Sequence, residues 1–264
     1  MVESDRERLR ETFSEDAELY DQARPGYPPE VFEDLADLAG TRAGCRVLEV
    51  GPGTGQATVP LAERGCQIVA VELGAAMAVV ARRNLERFPL VNVVTSAFEE
   101  WPLPEQPFDV VLSATAFHWI DPAVRVGKAA DALRVGGALA TIATHHVAGG
   151  SEDLFREVQH CYERFDPSTP PGLRLLPSSD IPADSAELDG SKRFGPAVFR
   201  RYEWELSYST ARYLDVLRTY SGHRMLEEGA RDGLLSCIGS LIERHGGQIS
   251  KRYLTELRVA HRLT

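Results

Sequence analysis

The stretch Val47-Leu48-Glu49-Val50-Gly51-Pro52-Gly53-Thr54-Gly55 sets an apolar strand against a turn with glycine at every second position. Gln56 to Arg64 follows with a helical pattern that tolerates Pro60 only near its start and stops at Gly65. Strand, glycine turn and helix in this order build a nucleotide-type site, because a sharply folded glycine backbone lets a ligand lie against it. The spacing discriminates among ligands. A dinucleotide site takes G-x-G-x-x-G/A, its third small residue letting helix pack on strand. Here Gln56 holds that place, and the third glycine falls one position early, at Gly55. The phosphate-loop pattern G-x-x-x-x-G-K-[ST] is missing as well. Glu49, two residues before Gly51, would repel a pyrophosphate and suits a ligand carrying an ammonium and a sulfonium. Glu72 lies seventeen residues after Gly55, where a carboxylate can accept hydrogen bonds from both hydroxyls of a ribose.

Working outward, short apolar strands are expected at Arg46–Val50, Gln67–Glu72, Val91–Thr95, Phe108–Ser113 and Ala138–Thr144. Helices fall between them at 56–64, at 75–85, and from Asp121-Pro122 to Arg134, the last stopped by Gly136-Gly137. Residues from about 5 to 40 read as helical, broken at Arg24-Pro25-Gly26-Tyr27-Pro28-Pro29. This alternation indicates a parallel, doubly wound sheet. The regularity ends near residue 150. A helix is expected over 151–164, then a Pro/Ser/Gly-rich segment over 166–196 of the length that usually serves as a lid. Tyr202, Trp204, Leu206 and Tyr208 alternate with polar residues as a strand with one buried face. Helices at 210–221 and 226–244 and a closing strand through Tyr253–Val259 complete the chain. Four regions result: an N-terminal helical cap (1–40), a ligand-binding core (41–150), a lid or substrate insertion (151–200) and a C-terminal completion of the sheet (201–264).

Composition narrows the function. The chain has 264 residues and a formal net charge of −10, with no Lys/Arg-rich run, which argues against nucleic acid as a partner. The first residues carry no apolar leader, and no apolar stretch approaches the roughly 18 residues of a membrane span. Cys45, Cys66, Cys161 and Cys237 show neither zinc-site nor disulfide-scaffold spacing, and read as buried or idle thiols of a reducing cytoplasm.

The glycine stretch resembles motif I of the class I S-adenosylmethionine-dependent methyltransferases. Val71-Glu72-Leu73, Phe108-Asp109-Val110-Val111 and Leu133-Arg134-Val135-Gly136-Gly137-Ala138-Leu139 extend the resemblance over roughly residues 10 to 145. Tyr20-Asp21-Gln22-Ala23-Arg24-Pro25-Gly26-Tyr27-Pro28 and Ala116-Phe117-His118-Trp119 are similar to the small-molecule, trans-aconitate methyltransferase-like (type 11) branch. The resemblance implies a Rossmann-like α/β fold. Its doubly wound sheet has seven mostly parallel strands, an antiparallel last strand and a lid or insertion after strand five. It implies S-adenosylmethionine as cofactor. Glu49, Gly51, Gly53 and Gly55 would serve the methionine part, Glu72 the ribose, and Leu73 and Met77 the adenine, with Ala114 lining the site from the end of strand four. The family's adenine-binding acid falls on Ala97 here. That leaves Glu99 or a backbone carbonyl for the adenine amino group, and Phe98 to pack on the ring or donate its N–H. Tyr20 and Arg24 would reach over the cofactor, Arg24 pairing with the methionine carboxylate.

Strand four is not followed by N/D-P-P-Y/F/W, the motif for methylating exposed base or amide nitrogens. His118 is the candidate general base or orienting group, and Trp119 a wall of the acceptor pocket. His145-His146 end the fifth strand, with His146 the substrate-facing residue. Nothing supplies a third metal ligand, so no metal is expected. Residues 151–208 should form the acceptor pocket. The reading is methyl transfer to the O, N or C atom of a small organic acceptor by a monomer or homodimer. The alternatives are a non-catalytic S-adenosylmethionine-binding module and an NAD(P)-type oxidoreductase, against which Gln56 counts.

Overall fold

A computed structural model of the chain describes residues 16–264, so the helix expected over 5–15 lies outside the described residues. The chain divides into two compact units, each assembled from separate segments. Of the described residues, the larger comprises 26–144, 183–202 and 255–264; the smaller comprises 16–25, 145–182 and 203–254. Seven strands form one sheet in the order β3-β2-β1-β4-β5-β7-β6. They are β1 (Arg46–Val50), β2 (Gln67–Glu72), β3 (Val91–Thr95), β4 (Phe108–Ala114), β5 (Leu133–Gly150), β6 (Val198–Ser209) and β7 (Gln248–His261). The sheet is mixed and mostly parallel with antiparallel last strands, a Rossmann-like α/β fold.

The larger unit is built from strands apolar on both faces. Successive strand residues point to opposite faces, and the core clusters separate accordingly. Val47, Val110, Leu112, Ala138 and Ala140 pack on one face, and Leu48, Val50, Val111 and Leu139 on the other. Each such side chain removed from water contributes about 1.5–3 kcal/mol. The parallel register pairs Leu48 with both Val69 and Val111, which brings the carboxyl ends of β1, β2 and β4 to one edge. Helices α2 (Pro29–Ala39), α3 (Thr58–Glu63), α4 (Ala75–Leu85) and α5 (Arg125–Ala132) belong to this unit. Pro60 stands in the first turn of α3, where a missing N–H costs nothing.

Two expectations for this half of the chain need correction. The fifth helix does not run from Asp121 to Arg134. Asp121 instead closes a turn, its carboxylate accepting from the Ala123 N–H at 2.9 Å, and the chain becomes helical only at Arg125. Gly136-Gly137 therefore stops no helix; both glycines lie within β5, beyond a register irregularity opposite Phe108–Val110. Nor does β5 end at Thr144. It continues to Gly150, so His145 and His146 sit within the strand rather than at its end. The physical reason lies at Gly150, where a Cβ would come within 2.2 Å of the Ser250 carbonyl oxygen. Glycine there lets the β7 backbone approach and extends the pairing.

The smaller unit holds α1 (Ala17–Ala23), α6 (Glu152–Phe165), α8 (Thr210–Arg218), α9 (Ser221–Arg224) and α10 (Glu228–Arg244), packed around Leu154, Val158, Val216, Leu217, Leu234, Ile238 and Tyr253. Asp16 caps α1, accepting from the Leu19 N–H at 2.9 Å. Cys161 and Cys237 form a disulfide between α6 and α10. This overturns the reading of Cys161 and Cys237 as buried or idle thiols and removes the support that reading lent to a reducing compartment. Leu154, Val158 and Cys161 fall on one buried helical stripe, which carries the Cys161 sulfur to α10. Cys45 and Cys66 are free and buried in the larger unit. The segment expected to be irregular contains one short helix, α7 (Ala186–Ser191). Among the described residues no helix is long and apolar enough to cross a membrane.

Candidate functional site at the glycine loop

The turn after β1 is shaped by backbone geometry that only glycine holds without strain. Gly51, Gly53 and Gly55 have φ of 71°, 61° and 105°. A Cβ on Gly51 would also lie 2.5 Å from the Ala116 Cβ, so this turn meets the segment after β4 backbone-close. Gly51 N–H donates to the Val71 carbonyl at 2.9 Å, and Gly55 N–H to that of Pro52 at 3.0 Å. Two side chains brace Thr54: Asn84 donates to its carbonyl at 3.0 Å and Gln56 to its hydroxyl at 2.7 Å. Gln56, which excludes the dinucleotide packing, thus acts as a strut of the loop.

Glu72 ties the turn to α4. Its two carboxylate oxygens accept from the N–H of Gly53 at 2.9 Å and of Gly74 at 2.8 Å. A carboxylate offers several acceptor positions, which suits it to the hydroxyls of a ligand as well as to the loop. Glu49 differs in kind. It is 0% exposed, and neither carboxylate oxygen has a hydrogen-bond partner. The neighbouring Thr58 hydroxyl is buried and likewise lacks a well-formed bond. Burial pushes the Glu49 carboxyl up to about 7, the Thr58 hydroxyl opposing and the Glu72 charge adding to the rise. A buried carboxylate without donors is costly, and a ligand that brings a cation or N–H donors to the loop removes that cost.

The facing wall comes from the end of β4. Ala114 is buried there, and Thr115 has φ of 52°, a left-handed conformation rare for a β-branched residue. It is held by its N–H to the Ile142 carbonyl at 2.7 Å and by a 2.9 Å hydrogen bond between its hydroxyl and that of Tyr27. Phe117–Trp119 form one 3₁₀ turn, with the His118 and Trp119 rings 4.7 Å apart. His118 keeps an exposed edge. Crowding around its ring, and then the Arg125 charge, lowers its pKa to about 4.

The positions expected around an adenine divide. Leu73 is 41% exposed and Met77 is buried. Phe98 is a core side chain, packed with the cluster of Val111 and Ile120 beneath the Lys128 ammonium, so its backbone N–H is what it can offer a ligand. The Ala97 carbonyl accepts from Trp101 N–H at 2.9 Å, and the Glu99 carboxylate from Asp121 N–H at 3.1 Å. Tyr20, Arg24 and His146 belong to the smaller unit. There Arg24 donates to the Thr219 carbonyl at 3.1 Å and lies over the Tyr20 and Tyr220 rings, and His146 shares a 3.2 Å hydrogen bond with the Tyr220 hydroxyl. The sequence reading did not single out Thr58, Asn84, Tyr27 or Thr115. Asn84 lies thirty residues from Thr54, and no local spacing announces such a contact.

Residues 48–141 match the family model described as methyltransferase domain. This segment is a methyltransferase domain. The chain is 40% identical over 123 residues to Rv3342, an uncharacterized methyltransferase of Mycobacterium tuberculosis, covering 47% of this chain and 48% of that protein. An uncharacterized methyltransferase of Geobacillus, GWCH70_2477, is 37% identical over 112 residues, covering 40% of this chain and 52% of the relative. The chain thus matches about half the length of these curated relatives. The YcgJ protein from Bacillus subtilis superposes with a TM-score of 0.55 at 17% identity, covering 89% of this chain and 99% of the other. Phosphoethanolamine N-methyltransferase 2 of Haemonchus contortus, solved with S-adenosyl-L-methionine, gives 0.54 at 20% identity, covering 100% of this chain and 61% of the other. At these identities the two structures establish the fold.

The residues of the methyltransferase domain fit S-adenosylmethionine. The Glu49 carboxylate, buried without a well-formed hydrogen bond, matches a ligand with an ammonium and a sulfonium. The Glu72 carboxylate at the end of β2 suits ligand hydroxyls, and exposed Leu73 offers an apolar surface for a flat ring.

Proposed function

We propose that this chain binds S-adenosylmethionine at the loop 49–55 and transfers its methyl group to a small organic acceptor. The observation that carries the reading is the buried carboxylate of Glu49, whose oxygens have no well-formed hydrogen bond beneath a glycine turn. In this reaction the methyl carbon leaves sulfur and bonds to the acceptor, and S-adenosylhomocysteine departs as a neutral thioether. Rate comes from holding the two partners in line in a site that excludes water. Glu49 and Glu72 would fix the cofactor, and the turn Phe117–Trp119 would orient the acceptor. The net charge of −10 and the lack of N/D-P-P-Y/F/W after β4 favour a small molecule over nucleic acid.

The test is incubation with methyl-labelled S-adenosylmethionine and a panel of small metabolites. Label in a small-molecule product supports the reading. Tight binding of S-adenosylhomocysteine with label transferred to none of the panel favours a non-catalytic binding module. His118→Asn should lower kcat and leave affinity for S-adenosylhomocysteine unchanged.

A further inference from the structure

The smaller unit contains a cluster that the glycine loop does not explain. Lys251 on β7 is 4% exposed. Its ammonium donates to the Tyr213 hydroxyl at 3.3 Å and lies over the rings of Phe155, Tyr213 and Tyr253 at 5.5, 5.4 and 5.9 Å. Arg24 shares this surrounding, 4.3 Å above the Tyr220 ring, with its Nε buried and unpartnered. His146 bonds to the Tyr220 hydroxyl, and His223 to that of Tyr162 at 2.9 Å, leaving the His223 Nδ1 buried and without a partner. Among the described residues no carboxylate pairs with Arg24 or Lys251. Asp166, whose charge reaches His223, is already taken up by Ser168 and Thr169.

Buried cations normally carry a paired anion. Here aromatic faces and hydroxyls stand in for one, which attracts a cation but leaves its charge uncompensated. The consequence is visible in the Lys251 ammonium, which burial and then the Arg24 charge push down to about 7. Around the same residues Tyr253 stacks on Trp204 at 4.8 Å and stands edge-on to His146 at 5.5 Å. We infer that Arg24, Lys251, His146 and His223 form a binding site for an oxyanion, a carboxylate or phosphate. The site stands on the uncompensated charge and does not rest on the methyl-transfer reading.

The test is calorimetry on the full chain titrated with sodium benzoate, phenyl phosphate and neutral benzamide, first without and then with saturating S-adenosylhomocysteine. Benzoate or phenyl phosphate should bind saturably, at least tenfold tighter than benzamide, and the tighter of the two names the oxyanion. Lys251→Met and Arg24→Gln, shown folded by circular dichroism, should each weaken binding tenfold or more. Binding at pH 8 should take up a proton as Lys251 is recharged. Around Lys251, His146 and His223 are held neutral by burial, at about 2 and about 4, and the hydroxyls of Tyr162, Tyr213, Tyr220 and Tyr253 are all raised, so none of them supplies that signal. Equal binding of benzamide, no binding of either anion at millimolar concentration, or unchanged binding in both variants would overturn the site. Displacement of the probe by S-adenosylhomocysteine would give the cations to the cofactor's own carboxylate and overturn a separate oxyanion site. Failure of S-adenosylhomocysteine to bind, with the anion still bound, would support the site and sink the methyl-transfer reading alone.

Discussion

The Glu72 carboxylate accepts the Gly53 N–H at 2.9 Å while its other oxygen accepts the Gly74 N–H at 2.8 Å. One acid at the end of β2 therefore sets both the glycine turn and the start of α4. Glu72→Ala should weaken S-adenosylhomocysteine binding by about 1–3 kcal/mol, since charged hydrogen bonds to the loop and to the ribose are lost together. Calorimetry measures this directly, and an unchanged affinity would remove Glu72 from both roles.

Glu49 predicts a pH dependence. Its carboxyl is raised to about 7 in the folded protein from an ordinary value of 4.5. Between those values the folded chain holds a proton that the unfolded chain has released, so this group's contribution to stability falls as pH rises. A cationic ligand selects the ionised form, so S-adenosylhomocysteine affinity should rise from pH 5.5 to 7.5 with proton release, then level off. Glu49→Gln should flatten that dependence. A pH-independent affinity in the unsubstituted protein would show that Glu49 does not face the ligand's charge.

The Cys161–Cys237 bond closes a span of 76 residues. Loops of this size give a disulfide roughly 2–4 kcal/mol of stabilisation. A reductant should lower Tm, and the unfolded, unreduced protein should titrate as two thiols, from Cys45 and Cys66. Four thiols would contradict the bond.

How far the sequence spoke varied with how local each signal is. Val47-Leu48 and Val110-Val111-Leu112 read as buried strands because both faces are apolar, and the observed register agrees. Gly136-Gly137 misled because glycine marks a helix stop and a close backbone approach equally well; a Cβ on Gly137 would lie 2.9 Å from the Asp109 carbonyl oxygen of β4. The loop acids were legible from spacing. The bond between Cys161 and Cys237 and the meeting of Arg24, His146, Tyr220 and Lys251 were not, since they join residues far apart in the chain and no periodicity records such contacts.

The most direct test of the central claim is a calorimetric titration of the full chain with S-adenosylhomocysteine and, separately, with NADH. The Glu49–Gly55 loop predicts saturable one-to-one binding of S-adenosylhomocysteine, weakened in Glu72→Ala, and no binding of NADH. Saturable NADH binding with no heat from S-adenosylhomocysteine would contradict it.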